Sequence, residues 1–221
     1  MTKILGIHEG ADAGACLLIN GRILASASEE RFSRMKNDWG WPTHAIAFCL
    51  ESAGLKASKL DCVAIASEVI NPIELKIKRS HAYGIKDYIN ENERYWKPVL
   101  INGEELDYYE VFKNDKLFNK NYNMPYDFSF IERCTSSKER VERFQEERLN
   151  TAMRELAVSA DKIRFVNHHL CHAAYAYFAS EGRDKTLVIA ADGEGDGANA
   201  AICIGEGNNL EEHHFDPPWT V

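Results

Sequence analysis

Short apolar segments alternate with polar turns at the start of the chain. Apolar residues fill positions 4–7 and 15–19, and positions 22–28 alternate apolar with polar side chains. That alternation is the period of a strand with one buried face. Asn20 and Gly21 separate the second segment from the third, and this dipeptide favours a two-residue hairpin turn. The pattern therefore predicts a meander of three antiparallel strands.

Helical and strand-like segments follow this meander. A helical apolar stripe begins at Thr43 and stops at Gly54, and an apolar run at 62–66 is bounded by polar residues. Farther along, a short apolar run at 163–166 leads directly into a helical pattern over 168–180. Apolar spacing of these two kinds predicts helix–strand units, as in an α/β protein.

Residues 70–150 differ from the rest of the chain. They are rich in Tyr, Asn, Lys and Glu, with scattered large aromatic residues, and a highly charged helical pattern covers 136–156. We interpret this stretch as an insertion packed on the core. Its polarity favours a solvated surface layer.

The segment from residue 186 onward repeats the pattern of the opening meander. An apolar strand at 186–191 leads to an acidic, glycine-rich turn at 192–197, and further strands are predicted at 199–204 and 210–214. The opening meander has a similar acidic glycine turn at 9–14. The repetition predicts a duplicated fold whose two copies face each other across a cleft lined by these turns.

Glycine in such a turn lets a phosphate approach the backbone and accept its N–H groups. Gly193 and Gly195 are therefore candidate cofactor-binding residues. The alternative is that both turns are simply tight hairpins.

Two histidines and one carboxylate form the strongest chemical signal. His168 and His172 stand four residues apart at a helix start, which puts both imidazoles on one face, with Cβ atoms about 5–6 Å apart. Asp192 follows an apolar strand and can complete a two-histidine, one-carboxylate ligand set. Such a set suits iron(II), manganese or zinc better than magnesium and leaves positions open for substrate. A capping or structural role is the alternative for the histidine pair.

The net charge of the chain limits the classes of partner that it can bind. The formal net charge of −8 argues against a nucleic-acid-binding surface, which needs a basic stripe. An anionic substrate must therefore be held locally, and Arg31, Arg34 and Lys36 could neutralise a phosphate. A solvated turn in which glutamates pair with these cations is the alternative.

The sequence shows no signal peptide and no apolar run long enough for a membrane span. Its six cysteines have no CxxC spacing, which favours buried free thiols in a reducing compartment. A cytoplasmic protein is expected.

Three motifs together resemble the O-carbamoyltransferases of nodulation-factor and antibiotic tailoring. Residues 28–36 resemble the EERFxRxK signature of that family, residues 168–173 its HHLAHA motif, and residues 192–196 its DGxGE turn. The order and spacing of the motifs also match. The resemblance covers most of the chain, although 70–150 contributes little.

The resemblance implies an actin-like fold of two ribonuclease-H-like lobes around a nucleotide cleft. It also implies use of carbamoyl phosphate and ATP to form carbamoyl adenylate, followed by transfer of the carbamoyl group to a hydroxyl of a small molecule. In the family, the positions of His168, His172 and Asp192 bind iron, which makes them the predicted metal ligands. Arg31 and Lys36 are then predicted to be cofactor-binding residues.

One departure concerns the first turn. The family usually has His-Asp there, and the matching pair in this chain is Ala11-Asp12. Asp12 is the catalytic residue predicted from this turn. His8 lies nearby, outside the alignment.

The other departure is length, because family members exceed twice this size. We expect residues 1–182 to form the first lobe, with the insertion at about 70–150, and residues 183–221 to form the opening meander of the second. On that view the chain is an N-terminal fragment or split subunit, incomplete without a second polypeptide. It would self-associate through 186–221 and give no carbamoylated product alone. The alternatives are a non-catalytic nucleotide- or metal-binding partner subunit and a tRNA threonylcarbamoyl-transfer-like domain.

Overall fold

A computed structural model describes residues 1–78, 84–116, 118, 124–181 and 184–216. Contacts within the chain divide it into two compact units. Unit 1 contains Met1–Ile65 and Ile70–Arg164, and unit 2 contains Ala66–Val69 together with the segment from Phe165 onward.

Strands and helices alternate along the described residues. The strands are Lys3–His8 (β1), Gly14–Ile19 (β2), Arg22–Ser28 (β3), Cys62–Ala66 (β4), Ile163–Val166 (β5), Thr186–Gly195 (β6), Ala198–Glu206 (β7) and Asn209–Asp216 (β8). The α-helices are Glu30–Ser33 (α1), Thr43–Ser52 (α2), Pro72–Lys78 (α3), Ile85–Glu91 (α4), Lys97–Asn102 (α5), Tyr108–Phe112 (α6), Ser137–Leu156 (α7) and His168–Ala179 (α8). A π-helical turn at Asn92–Trp96 lies between α4 and α5, and short 3₁₀ turns occur at Ala57–Lys59, Ile131–Arg133 and Ala160–Lys162.

The opening meander is confirmed. Strand β1 pairs antiparallel with β2, from Lys3 opposite Ile19 to His8 opposite Gly14, and β2 pairs antiparallel with β3. Asn20 and Gly21 both have positive φ values, 52° and 75°, as the central residues of a type I′ hairpin turn require.

The sheet that begins with this meander has five strands, in the order β3-β2-β1-β4-β5. Buried side chains alternate along its strands, as at Leu5 and Ile7 in β1 and at Val63 and Ile65 in β4. Helix α2 packs on β2 and β3. Its residues Ala45, Ile46 and Cys49 are buried, whereas Phe48 of the same apolar pattern stays exposed. The predicted α/β class is confirmed.

The interpretation of residues 70–150 as a solvated surface layer is wrong. This stretch contains a hydrophobic core of its own, flanked by further partly buried aromatic residues. The buried members of this core are Ile73, Ile77, Tyr108, Phe112, Phe118 and Ile131. The predicted charged helix is present as α7, but it is not purely solvated, since Phe144 and Arg148 are fully buried.

A buried ion pair ties α7 to the loop after β1. Arg148 and Glu9 are both 0 % exposed, and an Arg148 guanidinium nitrogen lies 2.7 Å from a Glu9 carboxylate oxygen. The other oxygen of Glu9 accepts a hydrogen bond of 2.6 Å from the Tyr126 hydroxyl. The insertion is therefore part of the packing that holds the first turn.

Unit 2 contains the antiparallel sheet β6-β7-β8 with α8 packed on it. The buried side chains that join them are Ala173, Tyr177, Val188, Ala190, Ala201 and Cys203. This confirms the second predicted meander. Helix α8 packs with that meander in unit 2, and the predicted lobe boundary at 182/183 stays a prediction.

The predicted glycine turn at 192–197 needs a correction. Strand β6 runs through Gly193 and Gly195, and only Asp196 and Gly197, with φ values of 54° and 75°, form the turn. The strand continues because Gly195 still pairs with Ala198, although the ladder is irregular between Ala191 and Gly195. The two meanders also differ at this point, since the loop between β1 and β2 spans residues 9–13.

All six cysteines are free, as predicted, but only half of them are buried. Those that are buried are Cys49, Cys134 and Cys203, and those that are half-buried are Cys16, Cys62 and Cys171. Among the helices that the structure describes, none combines the length and the apolarity that a bilayer crossing needs.

Candidate metal centre

Helix α8 presents the two predicted histidine ligands side by side. Asn167 caps this helix, because its side-chain oxygen accepts hydrogen bonds from the backbone N–H groups of His169 and Leu170, at 2.9 and 3.2 Å. One helical turn separates His168 from His172, and their ring centroids lie 4.6 Å apart. Their Nε2 atoms are 3.0 Å apart, so both rings direct the same nitrogen to one point.

Asp192 completes the cluster from β6. The five residues of β6 from Ala191 to Gly195 lie opposite only the three residues of β7 from Ala200 to Ala198. This bulge carries Asp192, and bulges commonly re-aim a side chain beside a functional site. The Oδ2 atom of Asp192 lies 2.8 Å from His168 Nε2 and 3.3 Å from His172 Nε2.

The three donor atoms fit a single ion. Each residue offers one ligand atom, and these atoms all lie within 4.8 Å of one another. Metal–nitrogen and metal–oxygen bonds of about 2.0–2.2 Å place neighbouring donors about 3.0–3.4 Å apart at tetrahedral or octahedral angles. The separations of 2.8, 3.0 and 3.3 Å are close to that range, so small side-chain shifts suffice.

The environment keeps the carboxylate charged and one side of the cluster open. The hydrogen bond from His168 lowers the pKa of Asp192 below its ordinary value, and the Gly193 backbone N–H adds to this effect. The His168 side chain is 17 % exposed, whereas those of His172 and Asp192 are 54 % and 44 % exposed. Solvent or substrate can therefore reach the cluster from the side of His172.

The other polar residues of the HHLCHA motif have different roles. His169 is completely buried, and its Nε2 donates a hydrogen bond of 2.8 Å to the Ala198 carbonyl oxygen in β7. Burial raises the pKa of the Cys171 thiol to about 11, with the nearby charges of Asp196 and Glu68 contributing. Cys171 does not belong to the cluster of candidate ligands, which consists of His168, His172 and Asp192.

Two residues next to the cluster were not identified from the sequence. The Asp196 carboxylate accepts hydrogen bonds from the backbone N–H groups of Glu68, Val69 and His168, at 2.9, 2.7 and 2.6 Å. The Ser67 hydroxyl lies 3.2 Å from His168 Nδ1. Asp196 could have been found as part of the DGEGD motif, whereas nothing in the sequence marks Ser67.

The two glycines predicted to bind a cofactor occupy different surroundings. A Cβ atom at Gly195 would overlap the His168 ring, so this glycine makes room for a candidate metal ligand. A Cβ atom at Gly193 would meet nothing within 4 Å. The N–H of Gly193 already donates to Asp192 Oδ1, at 2.7 Å.

The remaining predicted site residues belong to unit 1. Asp12 is exposed in the loop between β1 and β2 and has a φ of 59°. Arg31 lies on α1 and Lys36 follows it, and both side chains are exposed. His8 reaches the same loop, where its Nε2 donates a hydrogen bond of 2.9 Å to the carbonyl oxygen of Ala11.

The acidic residues of the EERF segment do not pair with these cations. Glu29 is buried, and its carboxylate accepts hydrogen bonds from His44 Nδ1 at 2.6 Å and from the Ala45 N–H at 2.8 Å. Glu29 therefore caps the start of α2. Glu30 accepts a hydrogen bond of 3.1 Å from the Asn37 N–H.

Taken together, the fold and the site define an α/β protein with an open centre of two histidines and one carboxylate. The chain belongs to the carbamoyltransferase family, since the model of the carbamoyltransferase N-terminus matches residues 3–217. This confirms the family resemblance read from the three motifs.

The chain is also similar to individual proteins. An uncharacterised protein of Synechocystis sp., sll1178, is 29 % identical over 97 % of this chain and 30 % of its own length. The nodulation protein NolNO of Sinorhizobium fredii is 25 % identical over 93 % of this chain and 22 % of its own length. The chain thus spans less than a third of the length of these two relatives. Among solved structures, YeaZ from Pseudomonas aeruginosa is similar with a TM-score of 0.41 and 10 % identity, over 100 % of this chain and 70 % of that chain.

Proposed function

We propose that this chain contributes a metal centre to an O-carbamoyltransferase. In the proposed reaction, carbamoyl phosphate, ATP and water give carbamoyl adenylate with release of phosphate and pyrophosphate. The carbamoyl group then passes to a hydroxyl of a small-molecule acceptor, and AMP leaves. Family membership supports the transfer of a carbamoyl group. The observation that carries the proposal is the convergence of His168, His172 and Asp192 in unit 2.

The donor set favours a divalent transition metal. Two imidazoles and a carboxylate suit iron(II), manganese or zinc, with iron(II) as the first candidate. His168 and His172 would bind the ion through Nε2, and Asp192 through Oδ2. A bound divalent ion supplies Lewis-acid polarisation of a carbonyl or phosphoryl oxygen.

We place the phosphate-bearing substrate over Gly193. The space beside its Cα is open, whereas the space beside Gly195 holds the His168 ring. Arg31 and Lys36 in unit 1 are separately proposed to bind a phosphate group, since both are exposed and neither forms an ion pair among the described residues. A guanidinium or ammonium group binds phosphate oxygens through charge-assisted hydrogen bonds.

Asp12 is the proposed acceptor of the hydroxyl proton. Its carboxylate is exposed in the loop after β1, beside the position at which the family usually has histidine. That position is Ala11 here, and a methyl group cannot accept a proton. The same observation favours a second candidate function, a metal- or nucleotide-binding partner subunit without catalysis.

Metal analysis tests the centre. The metal content of the purified chain should be retained in His213→Ala, a control at an exposed histidine of β8, and lost in His172→Ala. Equal metal occupancy in the His172→Ala variant and in the wild-type chain would contradict the ligand assignment.

Two further assays test the chemistry. Calorimetry should show that Gly193→Val weakens ATP binding, because a β-branched side chain blocks approach to that backbone, and an unchanged affinity would remove Gly193 from the nucleotide site. The chain is also mixed with carbamoyl phosphate, ATP, iron(II) and a panel of hydroxyl acceptors. No carbamoylated product is expected from this chain alone, which spans less than a third of the length of the two relatives. Product forming at an enzymic rate without a second polypeptide would contradict that expectation.

A further inference from the structure

Ser67 adopts a backbone conformation that residues with side chains usually avoid. It follows β4 directly and has a φ of 72°, in the left-handed region that favours glycine. Its side chain is nearly buried, with 7 % exposure. Non-glycine residues in this region cluster at functional sites, where surrounding contacts hold them in place.

The contacts that hold Ser67 are backbone hydrogen bonds on both sides of it. Its own N–H donates to the Val166 carbonyl oxygen at 2.9 Å. The N–H groups of Glu68 and Val69 donate to the Asp196 carboxylate. The same carboxylate accepts from the His168 N–H, so Asp196 joins the Ser67 loop to the first residue of α8.

This arrangement places the Ser67 hydroxyl beside the ring nitrogen of His168 that faces away from Asp192. Ser67 Oγ lies 3.2 Å from His168 Nδ1, while His168 Nε2 lies 2.8 Å from Asp192 Oδ2. Because the Asp192 carboxylate can only accept, the His168 ring without a metal carries its proton on Nε2. Its Nδ1 then accepts the hydrogen bond from the Ser67 hydroxyl.

Metal binding through Nε2 requires the opposite tautomer. The lone pair must then be on Nε2, so the single proton of the neutral ring moves to Nδ1, by exchange with solvent. A histidine ligand almost always donates its other N–H to an acceptor that fixes the ring. A serine hydroxyl can donate in one state and accept in the other, which neither a carboxylate nor a backbone amide can do.

We propose that Ser67 is a positioning residue for the metal centre, whose hydroxyl donates to His168 Nδ1 without metal and accepts from His168 Nδ1–H when metal is bound. The inference rests on the proposed function, because it assumes that His168 binds metal through Nε2. It adds a residue that none of the sequence motifs contains. Asp196 supports the arrangement by holding the Ser67 loop and the start of α8 together.

The test uses Ser67→Gly, which removes the hydroxyl and suits the positive φ. Ser180→Ala is the matched control, since it removes a serine hydroxyl at the other end of α8 that donates to the Tyr177 carbonyl oxygen. Zinc affinity is measured by competition with a chromophoric chelator, and the tautomer of His168 by long-range ¹H–¹⁵N NMR of the ring. Circular dichroism confirms that each variant is folded.

We expect Ser67→Gly to lower the zinc affinity about 10–100-fold, the range typical of lost outer hydrogen bonds to a ligand. Ser180→Ala should bind like the wild-type chain. Without zinc, both the wild-type ring and the Ser67→Gly ring should carry the proton on Nε2, because Asp192 accepts it there, and the Nδ1 resonance should shift in Ser67→Gly because its hydrogen bond from the hydroxyl is lost. Unchanged zinc affinity, or an unchanged Nδ1 resonance, would overturn the inference.

The two proposals fail in different ways. If the wild-type chain binds no zinc, iron(II) or manganese, the proposed metal centre is wrong, and the zinc-free NMR comparison still decides whether the Ser67 hydroxyl donates to His168 Nδ1. If the wild-type chain binds metal and Ser67→Gly binds it equally, only the role of Ser67 is wrong.

Discussion

The substitution Gly195→Ala should damage the proposed metal centre without replacing any of its three candidate ligands. The ring of His168 packs against the backbone of Gly195, and an alanine Cβ there would lie 2.9 Å from the His168 Cβ and closer still to the ring. Ordinary van der Waals contact begins at about 3.4 Å, so the ring must move by roughly 1 Å. His168 Nε2 lies 2.8 Å from Asp192 Oδ2 and 3.0 Å from His172 Nε2. A shift of that size would move His168 Nε2 away from the other two candidate donor atoms.

Losing one of three protein ligands costs more than losing an outer hydrogen bond, for which the typical loss is 10–100-fold. We therefore expect Gly195→Ala to lower zinc affinity by about 100-fold or more, which equals about 2.7 kcal/mol. Gly193→Ala is the matched control, because it adds the same methyl group to the same strand where nothing lies within 4 Å. Chelator competition gives both affinities. If Gly195→Ala binds zinc as tightly as Gly193→Ala, the packing of His168 against Gly195 does not position the ligand.

Two more predictions address stability and reactivity. Arg148→Met should lower the free energy of unfolding of unit 1 by about 3–5 kcal/mol, because it leaves the buried Glu9 carboxylate without its cation. The control is Arg143→Met, which breaks an exposed pair with Glu146. In urea titration, the loss of stability in Arg148→Met should be at least twice the loss in Arg143→Met. The Cys171 thiol, whose pKa is raised from 9.0 to about 11, should be alkylated at pH 8 about 100-fold more slowly than a thiol of pKa 9, since only the thiolate reacts. The alkylation rate of Cys171, followed by peptide mapping, should keep rising with pH up to about 11. A rate that stops rising near pH 9 would contradict the raised pKa.

The elements best predicted from the sequence are those with local signals. The strand at 62–66 and the strand at 163–166 have the predicted bounds because each apolar run is flanked by polar residues. The convergence of His168 with His172 follows from helical spacing alone. Asp192 was found because it follows an apolar segment, although the strand in fact continues past it.

The errors share a long-range cause. The glycine- and acid-rich segment 192–195 looks like a turn, but pairing with β7 keeps it in the strand, and no local pattern encodes that pairing. The core of the insertion joins aromatic residues from several short helices, so no single period reveals it. Ser67 lies 101 positions from the histidine that it contacts, and serine carries no signal of such a role.

The buried pair of Glu9 and Arg148 has a consequence for how related chains can diverge. Neither charge is tolerable in the interior without the other, and the Tyr126 hydroxyl bonded to Glu9 comes from the same insertion as Arg148. Deleting residues 70–150 while keeping the loop after β1 unchanged would therefore leave the Glu9 carboxylate buried without its partners. A homologue that lacks the insertion is expected to carry an uncharged residue in place of Glu9, so that the two features are gained or lost together.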